Sequence, residues 1–280
     1  MAELISFVVP TQSDKVLLVW ELSAGPPAEA LSHSLFTVFS QFGLLYSVRL
    51  FPNAAVARPG FYTFIKFYSS RDAQRAQKAC DGKPLFQTSP VKVRLGTRHK
   101  TLQHQAFALN SSRCQELANY YFGFNGWSKR ILKMQELSGQ EEAALAVPLQ
   151  ERNPQFFCVV EVVLPSYRCR SPGVGLSEGP LPQLEEGQAS FLTKRKTAQK
   201  LAFQAALSEA FQKLTIVVLD DGRIAVEYRP TEEDLDARSE EELQNLIQVS
   251  CSSWSQPSQR EEECLSDFLE EEDLKPCELH

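Results

Sequence analysis

The sequence predicts an α+β protein of two compact units followed by an acidic tail, on three observations. Apolar periodicity in the first hundred residues switches between strand and helix spacing in the order β-α-β-β-α-β. The second half combines a β-branched strand, a long alanine-rich helix and a hairpin. The charge of −6 is segregated: residues 231–280 hold 16 Asp and Glu against three basic side chains, leaving 26 basic and 19 acidic in 1–230. A length of 280 residues accommodates two domains and a tail. A basic body of this kind points toward polyanions.

Each element has a local cause. Residues 16–22 form a short apolar strand. After Pro26-Pro27, Ala30, Leu31, Leu35, Val38, Phe39 and Phe42 recur at helical spacing until Gly43. Residues 45–51 and 61–68 are strands around a loop bracketed by Pro52-Asn53 and Pro59-Gly60. Residues 70–80 carry Ala73, Ala76 and Ala79 on one helix face, closed by Asp81-Gly82, and 91–95 alternate as a fourth strand. Side chains alternate across a pleat. Leu17, Val19, Val48, Leu50, Phe61, Thr63, Ile65, Phe67, Val91, Val93 and Leu95 are therefore assigned to the core. The opposite face receives Trp20, Phe51, Tyr62 and Phe64 interleaved with Arg49, Lys66, Lys92 and Arg94. Rings accept stacked bases while neighbouring cations take phosphates. The plainer alternative is that another part of the chain covers these rings.

LLVWEL at 17–22 and FYTFIKF at 61–67 stand where the two signature strands of an RNA-recognition motif (RRM) lie, and residues 15–98 resemble that family. Tyr62 and Phe64 match its stacking positions. Leu18 occupies a position that is usually aromatic, with Trp20 two residues on, and Phe61 one that is usually glycine.

Residues 99–110 read as a linker. A helix is expected over 112–122, capped by Ser111 or Ser112 and broken at Gly123. FGFNGW follows as an aromatic turn that packs Phe122 and Trp127 inward. Residues 156–164 form a strand, and 174–176 a second, short one in the otherwise loop-like stretch 170–187. The helix over 191–214 buries Ala198, Leu201, Ala202, Ala205, Ala206 and Ala210, and 215–219 with 224–228 make a hairpin around Asp220-Asp221-Gly222.

LANYYFGFNGWSKRI at 117–131, GVGLSEG at 173–179 and KTAQKLAFQAALSEAF at 196–211 are similar, in the same order, to the annealing domain of the Rad-fifty-two recombination mediators. The second unit, 111–229, is accordingly expected to be an α+β domain of that type. The resemblance implies a sheet backed by a long helix and a basic groove for single-stranded DNA. It assigns Arg113 and Phe124 to DNA contacts. Two basic groove positions of the family fall on Ser208 and Glu209 and a third on Gln212, so a dimer is expected rather than an annealing ring. Lys129, Arg130 and Lys133 after the turn, and Lys194-Arg195-Lys196 by the long helix, are further phosphate-binding candidates or solvated cations. The latter three also suit a short nuclear import signal.

The tail, 230–280, is expected to be acidic and largely disordered, with Leu265, Phe268 and Leu269 as a candidate docking segment. Seven cysteines without a C-x-x-C pair argue against a disulfide framework and a zinc site, hence for reduced thiols in nucleus and cytoplasm. No apolar run is long enough for a membrane span, and no signal peptide is expected. The four histidines are scattered and no nucleotide-binding or hydrolase motif occurs, so neither catalysis, a metal nor a cofactor is implied. The favoured reading is a binder of single-stranded DNA and RNA in DNA repair. The alternative is a protein-interaction adaptor whose RRM sheet binds a peptide and whose second domain dimerises.

Overall fold

The computed structural model describes residues 2–54, 56, 59–96, 107–137, 154–177 and 191–230. The acidic tail, with its candidate docking segment, lies outside these residues, as does most of the linker.

Strands β2 (Val16–Leu22), β3 (Leu45–Pro52), β4 (Phe61–Phe67) and β5 (Lys92–Leu95) form one antiparallel sheet in the order β3-β4-β2-β5. Helices α1 (Ala28–Ser40) and α2 (Ser70–Cys80) cover one face, over a core that includes Leu17, Val19, Leu35, Phe39, Ile65, Phe67, Ala73 and Val93. The alternation expected of these strands is found except at irregularities between Val19 and Leu22 of β2 and between Leu45 and Ser47 of β3. Ser69 caps α2, its hydroxyl accepting from the Asp72 N–H at 3.1 Å.

The second unit runs α3 (Ser111–Phe122), β6 (Ser128–Leu137), β7 (Gln155–Leu164), β8 (Cys169–Leu176) and α4 (Phe191–Gln212). The three strands make an antiparallel sheet in chain order, and both helices contribute to one core with Cys158, Val160 and Val162. Ala198, Ala202, Ala206 and Ala210 of α4 are buried at four-residue spacing, whereas Ala205 is exposed and Leu201 only half-buried.

Three further expectations are corrected. The cap of α3 is Asn110, whose side chain accepts from the Arg113 N–H at 2.8 Å, and not Ser111 or Ser112, which already lie in the helix. Strand β8 begins at Cys169, so residues 170–173, read as loop, are paired to β7. Its glycines serve packing: a Cβ on Gly173 would come within 2.2 Å of the Ala206 carbonyl, and one on Gly175 equally close to that of Ala202. Helix α4 lies directly on this strand. Finally, residues 107–109 belong to the fold, since Val9 N–H donates to the Phe107 carbonyl at 2.8 Å and Leu109 N–H to that of Phe7 at 3.3 Å.

The remaining sheet joins the two halves. β1 (Glu3–Ser6) pairs antiparallel with β9 (Leu214–Val218), whose other edge pairs with β10 (Ile224–Tyr228). Ile5 and Phe7 thereby enter the core of the second unit, although the first unit follows them in the chain. The Glu3 carboxylate reaches back to the start of α2, accepting from the Ser69 hydroxyl at 2.8 Å and from the Ser70 N–H at 2.6 Å. Arg71 closes the joint on Asp220 at 2.7 Å.

Tyr68 is buried in this joint, and its hydroxyl has no hydrogen-bond partner among the described residues. An unsatisfied buried hydroxyl costs about 1–3 kcal/mol. Tyr68→Phe is expected to raise unfolding free energy by about 1 kcal/mol in a denaturant titration, by removing that cost without opening a cavity. A loss of stability would mean that the hydroxyl is bonded.

Candidate nucleic-acid interface

The open face of the first sheet is ordered by strand register. Arg49, Phe64, Leu18 and Arg94 are cross-strand neighbours in one row over all four strands. At ~4.8 Å per strand the row spans roughly 14 Å, with a guanidinium at either edge. The next row carries Phe51 opposite Tyr62, and the row on the other side Ser47 opposite Lys66.

Phe51, Tyr62 and Phe64 form one cluster: Phe51 and Tyr62 stack at 5.4 Å, and Phe64 meets each ring edge-on at 6.0 Å. Phe51 and Phe64 remain 37% and 38% exposed, and Tyr62 is half-buried. Trp20 stands apart. It pairs with Lys92 on β5, while a bulge between Val19 and Leu22 breaks its register with β4. Glu21 takes a left-handed backbone there (φ 63°), and its carboxylate pairs with Lys92 at 2.9 Å. Burial, followed by the adjacent Arg49 charge, pushes the Lys66 ammonium below its ordinary range. Lys66 and Arg49 are therefore close enough to repel each other.

The second unit distributes its candidates differently. Phe124, at the tip of the turn after α3, is 83% exposed. Trp127 packs edge-on against Phe211 at 5.3 Å and donates its indole N–H to Asn119 at 2.8 Å, in keeping with the inward packing expected of it. Phe122 rests on Tyr167. Lys129 sits opposite buried Val162, on the helix-facing side of β6. Its ammonium donates to Gln115 at 2.7 Å and lies over the Phe203 ring, and burial holds its pKa down. Arg130, opposite Glu161, faces the other way and bonds that carboxylate, which Arg170 also approaches. Arg113 pairs with Glu116 at 2.6 Å.

The groove positions on α4 have structural partners. The Ser208 hydroxyl donates to the Leu109 carbonyl. Glu209 accepts from the Val174 N–H and pairs with the buried Lys213 at 3.1 Å. The acid that replaces a family cation is thus neutralised within the fold. Lys194, Arg195 and Lys196 lie in the first two turns of α4, with Arg195 held to Glu136 at 3.1 Å. Tyr46 was not foreseen: a register irregularity between Leu45 and Ser47 removes it from simple alternation.

The chain is similar to known proteins over its whole length. It is 88% identical to mouse RAD52 motif-containing protein 1 over 281 residues, covering 100% of both chains. The chain belongs to the RAD52 motif-containing protein 1 family. The human relative of that name is 70% identical and the chicken relative 50%, each over 100% of this chain and 100% and 99% of their own. An RNA recognition motif model matches residues 27–89, and one described as "RDM1 DSRM domain" matches 109–215. The second match coincides with the observed order α3-β6-β7-β8-α4. The two domain matches support nucleic-acid binding.

Proposed function

We propose that this protein binds single-stranded DNA and RNA by base stacking and phosphate contact, without catalysis, in DNA repair or recombination. The observation that carries the reading is the exposed cluster of Phe51, Tyr62 and Phe64, flanked in register by Arg49, Lys66, Lys92 and Arg94. An aromatic patch with cations at both edges of a sheet suits unpaired bases and their backbone. The repair assignment is supported by the resemblance at 117–131 and by the relatives' names.

The test is a binding series over single-stranded DNA, duplex DNA and RNA at increasing salt. Four phosphate-neutralising cations predict a slope of roughly −3 in log affinity against log salt for single strands. A flat salt response would remove the reading. One observation favours the adaptor as a second reading. Leu132, Leu137, Val174 and Leu176 of the second sheet are exposed, which suits a dimer contact more than a nucleic acid. Sedimentation at increasing concentration decides that point: a persistent monomer excludes the dimer.

A further inference from the structure

The first sheet's open face does not end freely. Leu45 and Phe67 lie in the core of the first unit, whereas Leu44, Tyr46 and Tyr68, their chain neighbours, pack into the core of the second. Followed along β4, the outward positions Tyr62, Phe64 and Lys66 lead at Tyr68 straight under the second unit. Tyr46 and Tyr68 meet there edge-on at 5.7 Å. Arg113 of α3 stands at this boundary, its guanidinium 5.8 Å from the centre of the Tyr46 ring and its side chain 43% exposed. Ser47, opposite Lys66, is the chain neighbour of Tyr46, so the cationic end of the sheet face leads in sequence to the ring that backs Arg113. The remaining neighbour is acidic: Glu116 holds the Arg113 guanidinium at 2.6 Å.

We infer that the two units present one continuous path for single-stranded nucleic acid, joined at Tyr46 and Arg113, with Glu116 as the internal anion that a backbone phosphate must displace. The inference rests on the sheet-face reading above and deepens it. Phe51, Tyr62 and Phe64 take bases, Lys66 and Arg49 carry the backbone toward the joint, and Arg113, backed by the Tyr46 ring, takes the next phosphate. Exchange of one anion for another at Arg113 leaves its charge satisfied in both states. The free protein therefore keeps this cation paired, and only a strand long enough to leave the sheet gains from it.

The experiment uses full-length protein and labelled oligonucleotides of about 4 and about 16 residues, lengths that cover the sheet alone or extend beyond it. Glu116→Gln removes the competing anion and is expected to tighten the long oligonucleotide several-fold at low salt, leaving the short one within a factor of about two. Arg113→Gln is expected to remove about tenfold of the affinity gained between the short and long oligonucleotides, a typical effect of losing one charge-assisted contact. Melting curves of both variants confirm that the joint still folds. If Glu116→Gln leaves the long oligonucleotide unchanged, or shifts both lengths alike, the continuous path is wrong. If instead Tyr62→Ala with Phe64→Ala binds both lengths normally, the sheet-face reading itself fails. The length comparison keeps the two failures apart.

Discussion

Tyr62→Ala combined with Phe64→Ala is expected to lower single-strand affinity at least tenfold, with the melting temperature close to that of the parent protein. Each stacked base contributes about 1–3 kcal/mol by alanine substitution, so two lost platforms exceed a tenfold effect even at the low end. Stability is spared because neither ring belongs to the core beneath, where Ile65 and Phe67 point the other way. The rings do contact each other and Phe51, so a small loss from the broken cluster is included in the expectation. Fluorescence anisotropy with labelled oligonucleotides and a parallel thermal melt provide the measurement. A variant that melts normally and binds normally would exclude the sheet face as the binding surface. One that melts early would call for Tyr62→Leu with Phe64→Leu, which keeps the apolar cover and removes the rings.

Phe7→Ala is expected to destabilise the second unit by about 3–5 kcal/mol, the usual range for deleting a buried phenylalanine side chain. Phe7 is fully buried, its ring 4.8 Å from that of Phe211, which in turn supports Trp127. For a domain of this size the loss lowers the melting midpoint on the order of 10 °C. The first unit has its own core of Leu17, Leu35, Phe39, Ile65 and Val93, to which Phe7 does not belong. Hydrogen exchange should therefore accelerate first in β6 to β9 and leave β2 to β5 protected. An unchanged midpoint would mean that the segment before the RRM is not docked in solution.

The first unit was legible because its strands alternate apart from the irregularities at Trp20 and Tyr46, and its helices keep a three-to-four spacing, so most of its faces and core followed from residue types alone. The second unit was legible where its signals are local, as in the alanine stripe of α4 and the hairpin at Asp221-Gly222. It was obscure where partners are remote. β1 offers only four residues, and its pairing partner lies more than two hundred positions away. β6 reads SKRILKMQEL, mostly residues that favour helix, and only the register with β7 makes it a strand. β8 contains Pro172, Gly173 and Gly175, a loop signature by composition, because the approach of α4 excludes side chains there. The candidate site was legible to the same extent. Alternation identified the rings and cations of the sheet, whereas the ties of Lys129 to Gln115 and Arg130 to Glu161 depend on tertiary packing that no local pattern encodes.

The pairing of Glu3–Ser6 with Leu214–Val218 has a consequence for biosynthesis. A ribosome adding about 5–20 residues per second releases the earlier strand some ~10–40 s before its mate exists. During that interval the RNA-recognition motif, whose own core lies within the stretch already made, is free to fold. The strand ahead of it stays single, its Ile5 and Phe7 without their eventual shelter. Completion of the molecule is thus a closing step in which an early segment is recovered by a late one, across a domain that has already set.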